Sequence, residues 1–220
     1  FPICRSITGE GYRKSLKILS KYINFKVLKF PSGSKVFDWI VPPEWNIYDA
    51  YILKDKKKVV DFKNNNLHIV SYSHSINKTI DLNELDKHLF SIKKYPNFIP
   101  YVTSYYKKYW GFYIQHNKRK KLKKGKYQVV IKSKLSKGNV EIGLEKLKGK
   151  TDKIMLLSSY LCHPSMANNE LSGPLVMVGL YNKIKQWKNR NLNYYFLINP
   201  ETIGSICFLS KYAKKLKKDL

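Results

Sequence analysis

The sequence predicts an α/β protein with a partial doubly wound, mostly parallel sheet that is interrupted by a small β-rich inserted domain. Two uninterrupted apolar runs, at 154–157 and 194–198, are typical of parallel strands buried on both faces. The segment between them, 171–187, fits the helix of a crossover connection. Between 44 and 125, short aromatic-rich runs alternate with Asn and Lys clusters, which indicates the strands of a separate domain.

The chain opens with a predicted amphipathic helix. Thr8 is the expected N-cap and Glu10 lies in the first turn, where a carboxylate favours helix formation. The apolar positions that follow have helical spacing: Tyr12, Leu16, Leu19 and Ile23. Strands are expected at 25–30 and at 36–40, before the proline pair at 42–43. Residues 1–43 therefore form the first part of the main domain.

The inserted domain is predicted to be small and rich in strands. Its candidate strands are 50–53, 67–72, 101–106 and 110–114, and Leu82, Leu85 and Leu89 predict one short helix. Runs at 127–131 and 139–144 suggest a hairpin that leads back to the main sheet. The predicted division is thus 1–43, 44–125 and 126–220, with the inserted domain in the middle.

A last helix is predicted over 203–216, where apolar positions recur with a lysine-rich outer face. One crossover unit and a few amino-terminal strands make only half of a doubly wound sheet and leave an unprotected edge. We therefore expect the chain to be the amino-terminal fragment of a protein whose carboxyl-terminal part lies beyond Leu220.

The net charge of +27 at pH 7 raises the question of a nucleic-acid partner. The basic residues are mostly lysines spread along the chain, and the arginines are Arg5, Arg13, Arg119 and Arg190. Recognition of bases and phosphates favours the planar arginine fork. We therefore expect solvated lysine-rich surfaces and no nucleic-acid partner, with the run at 118–124 as the remaining candidate for an anionic ligand.

The cysteines Cys4, Cys162 and Cys207 are odd in number and form no close pair, which predicts a reducing, cytoplasmic compartment. No apolar run approaches the roughly 20 residues of a membrane span, and no signal peptide is visible, so no membrane partner is expected. Strand alternation predicts that Cys162 packs in the core and faces away from His163. A nucleophile or a soft metal ligand is the alternative for Cys162.

Two polar residues follow the predicted parallel strands. His163 comes after the first strand and Glu201 after the second. Because ligands of open α/β sheets sit beyond the carboxyl ends of the strands, these two side chains are expected to converge. A histidine and carboxylates at such an edge are what a metal-assisted hydrolase needs.

Two motifs carry a resemblance to a known family. The sequence Asn-Asn-Glu-Leu-Ser-Gly at 168–173, after His163, and Pro-Glu-Thr-Ile-Gly-Ser at 200–205 resemble the co-catalytic zinc aminopeptidase family. The likeness is greatest to a prokaryotic aminopeptidase-like branch of unknown function in which a β-rich domain is inserted. Further segments similar to this branch lie at 4–11, 37–39, 41–47, 67–73 and 100–106.

The resemblance implies roles for particular residues. In the family a histidine after a central strand binds zinc, an aspartate in an Asp-Asn-x-Ser-Gly motif bridges two zinc ions, and a glutamate pair supplies the general base and a further ligand. His163 then takes the first role and Glu201 that of the base. Where the bridging aspartate and its asparagine are expected, this chain has Asn169 and Glu170. Thr202 stands in place of the second glutamate.

The resemblance thus implies a zinc site of one or two ions, with His163, Asn169 and Glu170 as the candidate ligands and further ligands beyond Leu220. A neutral asparagine cannot supply the anionic oxygen that bridges two dications. Three alternatives stay open: Glu170 replaces that carboxylate, the site holds a single zinc, or it holds none.

The predicted function is that of a zinc-dependent aminopeptidase-like hydrolase acting on a small peptide or amide substrate, with the fragment inactive by itself. One alternative is a hydrolase-like protein that has lost its chemistry and serves in binding or assembly. A binder of anionic polymers is the third hypothesis, and it rests on charge alone.

Overall fold

A computed structural model describes residues 2–101 and 107–219. The chain divides into two compact units, which we call the discontinuous unit (Phe1–Glu44 and Lys137–Leu220) and the inserted unit (Trp45–Ser136). The predicted insertion ended at residue 125, so the boundary on its carboxyl-terminal side differs. The reason is a strand, Lys126–Ser136, that pairs with Ile76–Asp81 and is therefore part of the inserted unit.

Helices and strands are numbered along the chain. The strands are β1 (Lys26–Pro31), β2 (Lys35–Val36), β3 (Trp39–Ile40), β4 (Glu44–Lys54), β5 (Lys57–Asp61), β6 (Ile76–Asp81), β7 (Leu89–Phe90), β8 (Phe112–Tyr113), β9 (Lys126–Ser136), β10 (Asn139–Leu147), β11 (Ile154–Tyr160) and β12 (Asn193–Asn199). The α-helices are α1 (Glu10–Leu19), α2 (Leu82–Asp86), α3 (His116–Arg119), α4 (Asn168–Lys185) and α5 (Ile203–Asp219), and a 3-10 helix spans Asn66–His68.

The discontinuous unit contains a four-stranded sheet in the order β1-β10-β12-β11. β11 and β12 are parallel and are connected by α4, as the crossover pattern predicted. The pairs β1 with β10 and β10 with β12 are antiparallel. The α/β class is therefore confirmed, but within the described strands the sheet is not mostly parallel. Apolar periodicity identifies a strand without revealing the direction of a partner that is distant in sequence.

Helices cover both faces of this sheet. On one face α1 and α4 pack against β12, in a core that includes Leu16, Tyr181, Phe196 and Ile198. Alternation turns Tyr195 to the other face. There the ammonium group of Lys146 lies over the rings of both Tyr195 and Tyr212 of α5, so α5 covers the second face.

The start of α1 differs in detail from the prediction. The N-cap is Gly9, with φ of 88°, rather than Thr8. A left-handed backbone angle favours glycine, because it has no Cβ to clash with the backbone. Thr8 is buried, and its carbonyl oxygen accepts a hydrogen bond from Ser6 Oγ at 2.7 Å.

The inserted unit contains a four-stranded sheet in the order β5-β4-β9-β6 and a separate parallel pair, β7 with β8. The predicted strand at 67–72 is wrong: the chain forms the 3-10 helix Asn66–His68, Ile69 makes only an isolated bridge with Phe112, and a turn follows at 71–72. Asn65 Oδ1 accepts a hydrogen bond from Leu67 N at 3.0 Å and caps this turn. The predicted strand at 101–106 lies outside the described residues except for Tyr101.

The predicted hairpin of 127–131 with 139–144 is also wrong. β9 belongs to the sheet of the inserted unit, whereas β10 pairs with β1 and β12. Two strands that are adjacent in sequence resemble a hairpin when nothing local shows that they enter different sheets. Among the described residues, no helix is long and apolar enough to cross a membrane.

Candidate metal centre

The candidate site lies where β11 and β12 end. The two strands are parallel with Tyr160 opposite Asn199, so their carboxyl ends meet at one edge of the sheet. The loops that follow carry His163 and Glu201. Nε2 of His163 lies 3.2 Å from Oε2 of Glu201. The structure therefore brings together the two residues that strand order predicted to converge.

The two nitrogens of the buried His163 ring face different groups. Nδ1 lies 2.9 Å from Oδ1 of Asn169 and 2.7 Å from Oε1 of Glu170. Nδ2 of Asn169 donates to Tyr160 Oη at 3.2 Å. A carboxylate oxygen can only accept, so the nearby Oε1 of Glu170 favours a hydrogen on Nδ1, and the hydrogen bond itself is made with Asn169 Oδ1. Nε2, on the side of Glu201, is then the nitrogen that can offer a lone pair to a metal.

Glu170 is fully buried in the first turn of α4. Its Oε2 accepts a hydrogen bond from the backbone N–H of Cys162 at 2.5 Å. Oε1 lies 2.7 Å from Nδ1 of His163, but within the described part of the chain it has no hydrogen-bond partner. A carboxylate that water does not reach depends on neighbouring donors and positive charges, because burial of an unpaired charge is costly.

Arg5 is a second buried charge at this site, with 1% of its surface exposed. Its Nε lies 3.9 Å from Oε2 of Glu170 and donates to the carbonyl oxygen of His163 at 2.9 Å. Its Nη2 donates to the carbonyl oxygen of Met166 at 3.5 Å. Burial lowers the pKa of Arg5, and the carboxylate of Glu170 offsets part of that effect. Arg5 thus contacts both the buried carboxylate and the backbone of the histidine loop.

Cys162 belongs to the site, contrary to the prediction that it faces away from His163. Its Sγ lies with a ligand atom of His163 and one of Glu201 in a group whose members are all within 4.8 Å of one another. Sγ also accepts a hydrogen bond from Glu201 N at 3.3 Å. The alternation argument fails because β11 ends at Tyr160, so Cys162 is already in the loop. The sequence signal for a role of Cys162 in the site is its position next to a histidine directly after a strand.

The donor set of this group fits a zinc ion. Zinc takes thiolate, imidazole and carboxylate ligands, and in tetrahedral geometry these atoms lie roughly 3.3–3.8 Å apart. Sulfur, nitrogen and oxygen atoms within 4.8 Å of one another approach this arrangement. Burial raises the pKa of the Cys162 thiol, and contact with His163 offsets part of this rise. Glu201 is 47% exposed, so one side of the group is open to solvent.

Both loops have unusual backbone conformations. Ser165 and Thr202 have φ of 41° and 56°, in the left-handed region that non-glycine residues rarely adopt. Gly204 lets α5 begin directly behind Glu201. A Cβ on Gly204 would lie 2.6 Å from Pro200 Cδ and 2.7 Å from Asn199 Cβ. The absence of this side chain therefore allows α5 to pack close to the end of β12.

The predicted site residues thus lie on two sides of the histidine ring, with the two predicted ligands near one nitrogen and the predicted base near the other. Asn169 and Glu170 lie near Nδ1, whereas Glu201 lies near Nε2.

The other four histidines are in the inserted unit, and the Nδ1 of each has a partner there: His68 with Tyr113 O, His74 with Tyr109 O, His88 with Trp110 O and His116 with Ser91 Oγ.

The family model described as "Domain of unknown function (DUF4910)" matches residues 1–219. The chain belongs to the DUF4910 family. It is 47% identical over 218 residues to a Clostridium acetobutylicum protein named "Putative polysaccharide biosynthesis protein with aminopeptidase-like domain". The match covers 99% of this DUF4910 chain and 50% of that protein, so the chain spans about half the length of its relative.

Solved structures share the fold of this DUF4910 chain. A crystal structure named "putative peptidase" from Clostridium acetobutylicum has a TM-score of 0.94 at 46% identity, covering 99% of this chain and 51% of that one. The zinc aminopeptidase BSAP of Bacillus subtilis has a TM-score of 0.61 at 10% identity, covering 98% and 63%. A peptidase M28 precursor of Shewanella amazonensis has a TM-score of 0.58 at 11% identity, covering 99% and 66%. These comparisons confirm the predicted aminopeptidase-like relationship and fold.

Proposed function

We propose that this chain is part of a zinc-dependent, aminopeptidase-like hydrolase of peptide or amide bonds. The observation that carries the proposal is the meeting of Cys162, His163 and Glu201 at the carboxyl edge of two parallel strands, with ligand atoms within 4.8 Å of one another. The fold shared with zinc aminopeptidases supports the same reaction class.

In this proposal His163 Nε2 and Cys162 Sγ hold the metal and Glu201 is the general base. A bound zinc ion polarises a substrate carbonyl and lowers the pKa of water. Glu201 is half-exposed, so its carboxylate can accept the proton of an attacking water, whereas the fully buried Glu170 cannot. Two ligands are fewer than the three that catalytic zinc sites use. We therefore propose that a further ligand joins Cys162 and His163 when zinc is bound.

A second function, binding or assembly by a hydrolase-like protein without catalysis, is favoured by one observation. The bridging position holds the neutral Asn169, and the neighbouring Glu170 is buried against Arg5. In this loop no carboxylate is placed to bridge two zinc ions near Glu201. The proposal therefore requires a single zinc, and a protein that binds none would be of this second kind.

The substrate and compartment are part of the proposal. A small peptide or amide is the substrate class that follows from the hydrolase chemistry, and neither nucleic acid nor membrane is required. All three cysteines, Cys4, Cys162 and Cys207, are free. This supports the cytoplasm as the compartment, because unpaired thiols persist in reducing surroundings.

The test is metal analysis and hydrolysis of aminoacyl anilides with the intact protein. We expect about one zinc per chain after dialysis. Glu201→Gln should retain zinc and lose hydrolysis by roughly 100-fold or more, because it removes the base. Glu10→Gln, on the exposed start of α1, is the control and should change neither measurement.

Two outcomes contradict parts of the proposal. Less than about one zinc per chain together with no hydrolysis would overturn the enzyme and favour the binding protein. Loss of zinc in Glu201→Gln would show that Glu201 is a ligand rather than the base.

A further inference from the structure

We propose that Glu170 is a positioning residue which, together with Arg5, orients His163 for metal binding and does not itself bind the metal. This inference rests on the proposed zinc site. It concerns a carboxylate that occupies the place of an asparagine in the family motif and that the sequence predicted to be a ligand.

The first argument is the geometry of the imidazole. Oε1 of Glu170 lies 2.7 Å from Nδ1 of His163, and Oε2 of Glu201 lies 3.2 Å from Nε2. The lone-pair directions of the two ring nitrogens diverge, so a carboxylate on Nδ1 does not reach a metal on Nε2. A carboxylate that accepts a hydrogen bond from the second nitrogen of a metal-binding histidine fixes its tautomer and its orientation.

The second argument is burial. Glu170 has 0% of its surface exposed, and its Oε2 accepts a hydrogen bond from Cys162 N at 2.5 Å. The same carboxylate therefore contacts the backbone of Cys162 and the ring of His163, which are adjacent residues of the loop. A group enclosed in this way holds the loop and is not accessible to a metal entering from solvent.

The third argument is the counter-charge. Arg5 lies 3.9 Å from Oε2 of Glu170 and donates to the carbonyl oxygen of His163. Arg5 therefore compensates the buried charge and holds the same loop through its backbone. The histidine is positioned from two sides: Arg5 donates to its carbonyl oxygen, and the carboxylate of Glu170 lies 2.7 Å from Nδ1 of its ring.

Asn169 is the neighbour whose contribution must be separated from that of Glu170. Its Oδ1 lies 2.9 Å from the same Nδ1, and its Nδ2 donates to Tyr160 Oη. A neutral amide is a weaker acceptor than a carboxylate for a hydrogen bond of this kind. The Nδ1 hydrogen bond is made with Asn169, and the negative charge of Glu170 at 2.7 Å adds to the preference for a hydrogen on Nδ1, so loss of Glu170 should leave that preference to Asn169 alone.

The experiment compares Glu170→Gln and Glu170→Asp with Glu44→Gln in the intact protein. Glu44 is a matched control, because it is also buried and its Oε1 and Oε2 each lie 2.7 Å from Arg13, outside the candidate site. Zinc affinity is measured by competition with a chelator, and the ligand set by the absorption spectrum of the cobalt-loaded protein. The tautomer of the His163 ring is followed by nitrogen NMR in the metal-free protein.

We expect Glu170→Gln to weaken zinc binding by about 10- to 100-fold, as for other carboxylates behind a metal-binding histidine. The cobalt spectrum should keep its band positions, and the NMR signals of metal-free His163 should show a mixture of tautomers. Glu170→Asp should recover part of the affinity, because it retains the charge. Glu44→Gln should lower stability alone.

The inference is overturned if Glu170→Gln binds zinc as tightly as the parent, or if its cobalt spectrum changes as expected for loss of an oxygen ligand. A parent protein that binds no zinc overturns the proposed function. In that case the His163 tautomer still tests the positioning role, because an unchanged tautomer in Glu170→Gln overturns it separately.

Discussion

The loops after β11 and β12 carry the candidate site, but they are stabilised in opposite ways. In the first loop the carboxylate of Glu170 is fully buried against Arg5, and Ser165 N donates to Ile3 O at 3.2 Å. In the second loop the carboxylate of Glu201 is 47% exposed. The two glutamates beside one histidine therefore differ in exposure, and this difference underlies their proposed roles, positioning for Glu170 and general base for Glu201.

The largest expected effect comes from breaking the buried pair of the first loop. Arg5→Met leaves the carboxylate of Glu170 buried without its counter-charge, and we expect a loss of about 3–5 kcal/mol in the free energy of unfolding. The measurement is denaturant unfolding. Lys58→Met, which breaks the exposed pair with Asp61, is the control and should cost less than about 1 kcal/mol.

The double variant Arg5→Met with Glu170→Gln sharpens this prediction. Removing both charges leaves no unpaired ion, so part of the lost stability should return. If the two single changes simply add, Arg5 and Glu170 are not energetically coupled, and the first loop is not stabilised by this pair.

A smaller effect is expected from crowding the second loop. Gly204→Ala places a Cβ 2.6 Å from Pro200 Cδ and 2.7 Å from Asn199 Cβ, where the backbone has little room to shift. We expect a loss of about 1–3 kcal/mol in unfolding free energy. Gly179→Ala in α4 is the matched control. Its Cβ would meet nothing within 4 Å, so alanine should stabilise the helix by roughly 0.5–1 kcal/mol.

If Gly204→Ala is tolerated as well as Gly179→Ala, the second loop adapts freely and the contrast with the first loop is one of burial alone. Measuring hydrolysis by the two variants then shows whether the substitution affects activity as well as stability. Displacement of α5 should move Glu201 and reduce activity in Gly204→Ala, while Gly179→Ala should retain it.

The smallest effect concerns pH and the helix behind the second loop. Burial raises the pKa of the Cys207 thiol from its ordinary value of 9.0 to about 11. The unfolded chain releases this proton first as pH rises, so the stabilising contribution is present below about pH 9 and is lost progressively towards pH 11. At pH 10 the loss should be about 1.4 kcal/mol.

This dependence is measured as the difference between the parent and Cys207→Ala, because the many lysines titrate in the same range in both proteins. The parent should lose more stability than the variant between pH 9 and pH 11. Parallel curves would show that the Cys207 thiol ionises in the folded protein as easily as in the unfolded chain.

Local patterns predicted much of the discontinuous unit. The apolar runs gave β11 and β12, and the intervening periodicity gave α4, because burial on a strand or helix imposes a repeat on neighbouring residues. The antiparallel direction of β10 and the separate sheets of β9 and β10 were not predicted. Those features depend on partners far along the chain, and no local repeat reports them.

The same distinction holds at the site. His163 and Glu201 were found from their positions after two strands, since parallel strands bring their carboxyl ends together. The prediction that Cys162 faces away from His163 is wrong, because side chains alternate only within a strand and β11 ends at Tyr160. No local pattern indicates a role for Arg5, because its hydrogen-bond partners lie about 160 positions further along the chain.

The sequence by itself determined the α/β class, the crossover unit, the aminopeptidase-like family and the meeting of His163 with Glu201. The tertiary structure decided which nitrogen of His163 each carboxylate faces, that Cys162 joins the group, and that Arg5 compensates Glu170. The physical reason is range: periodicity and strand order are set by neighbouring residues, whereas the orientation of a ring and the pairing of a buried charge depend on side chains that only the folded chain brings into contact.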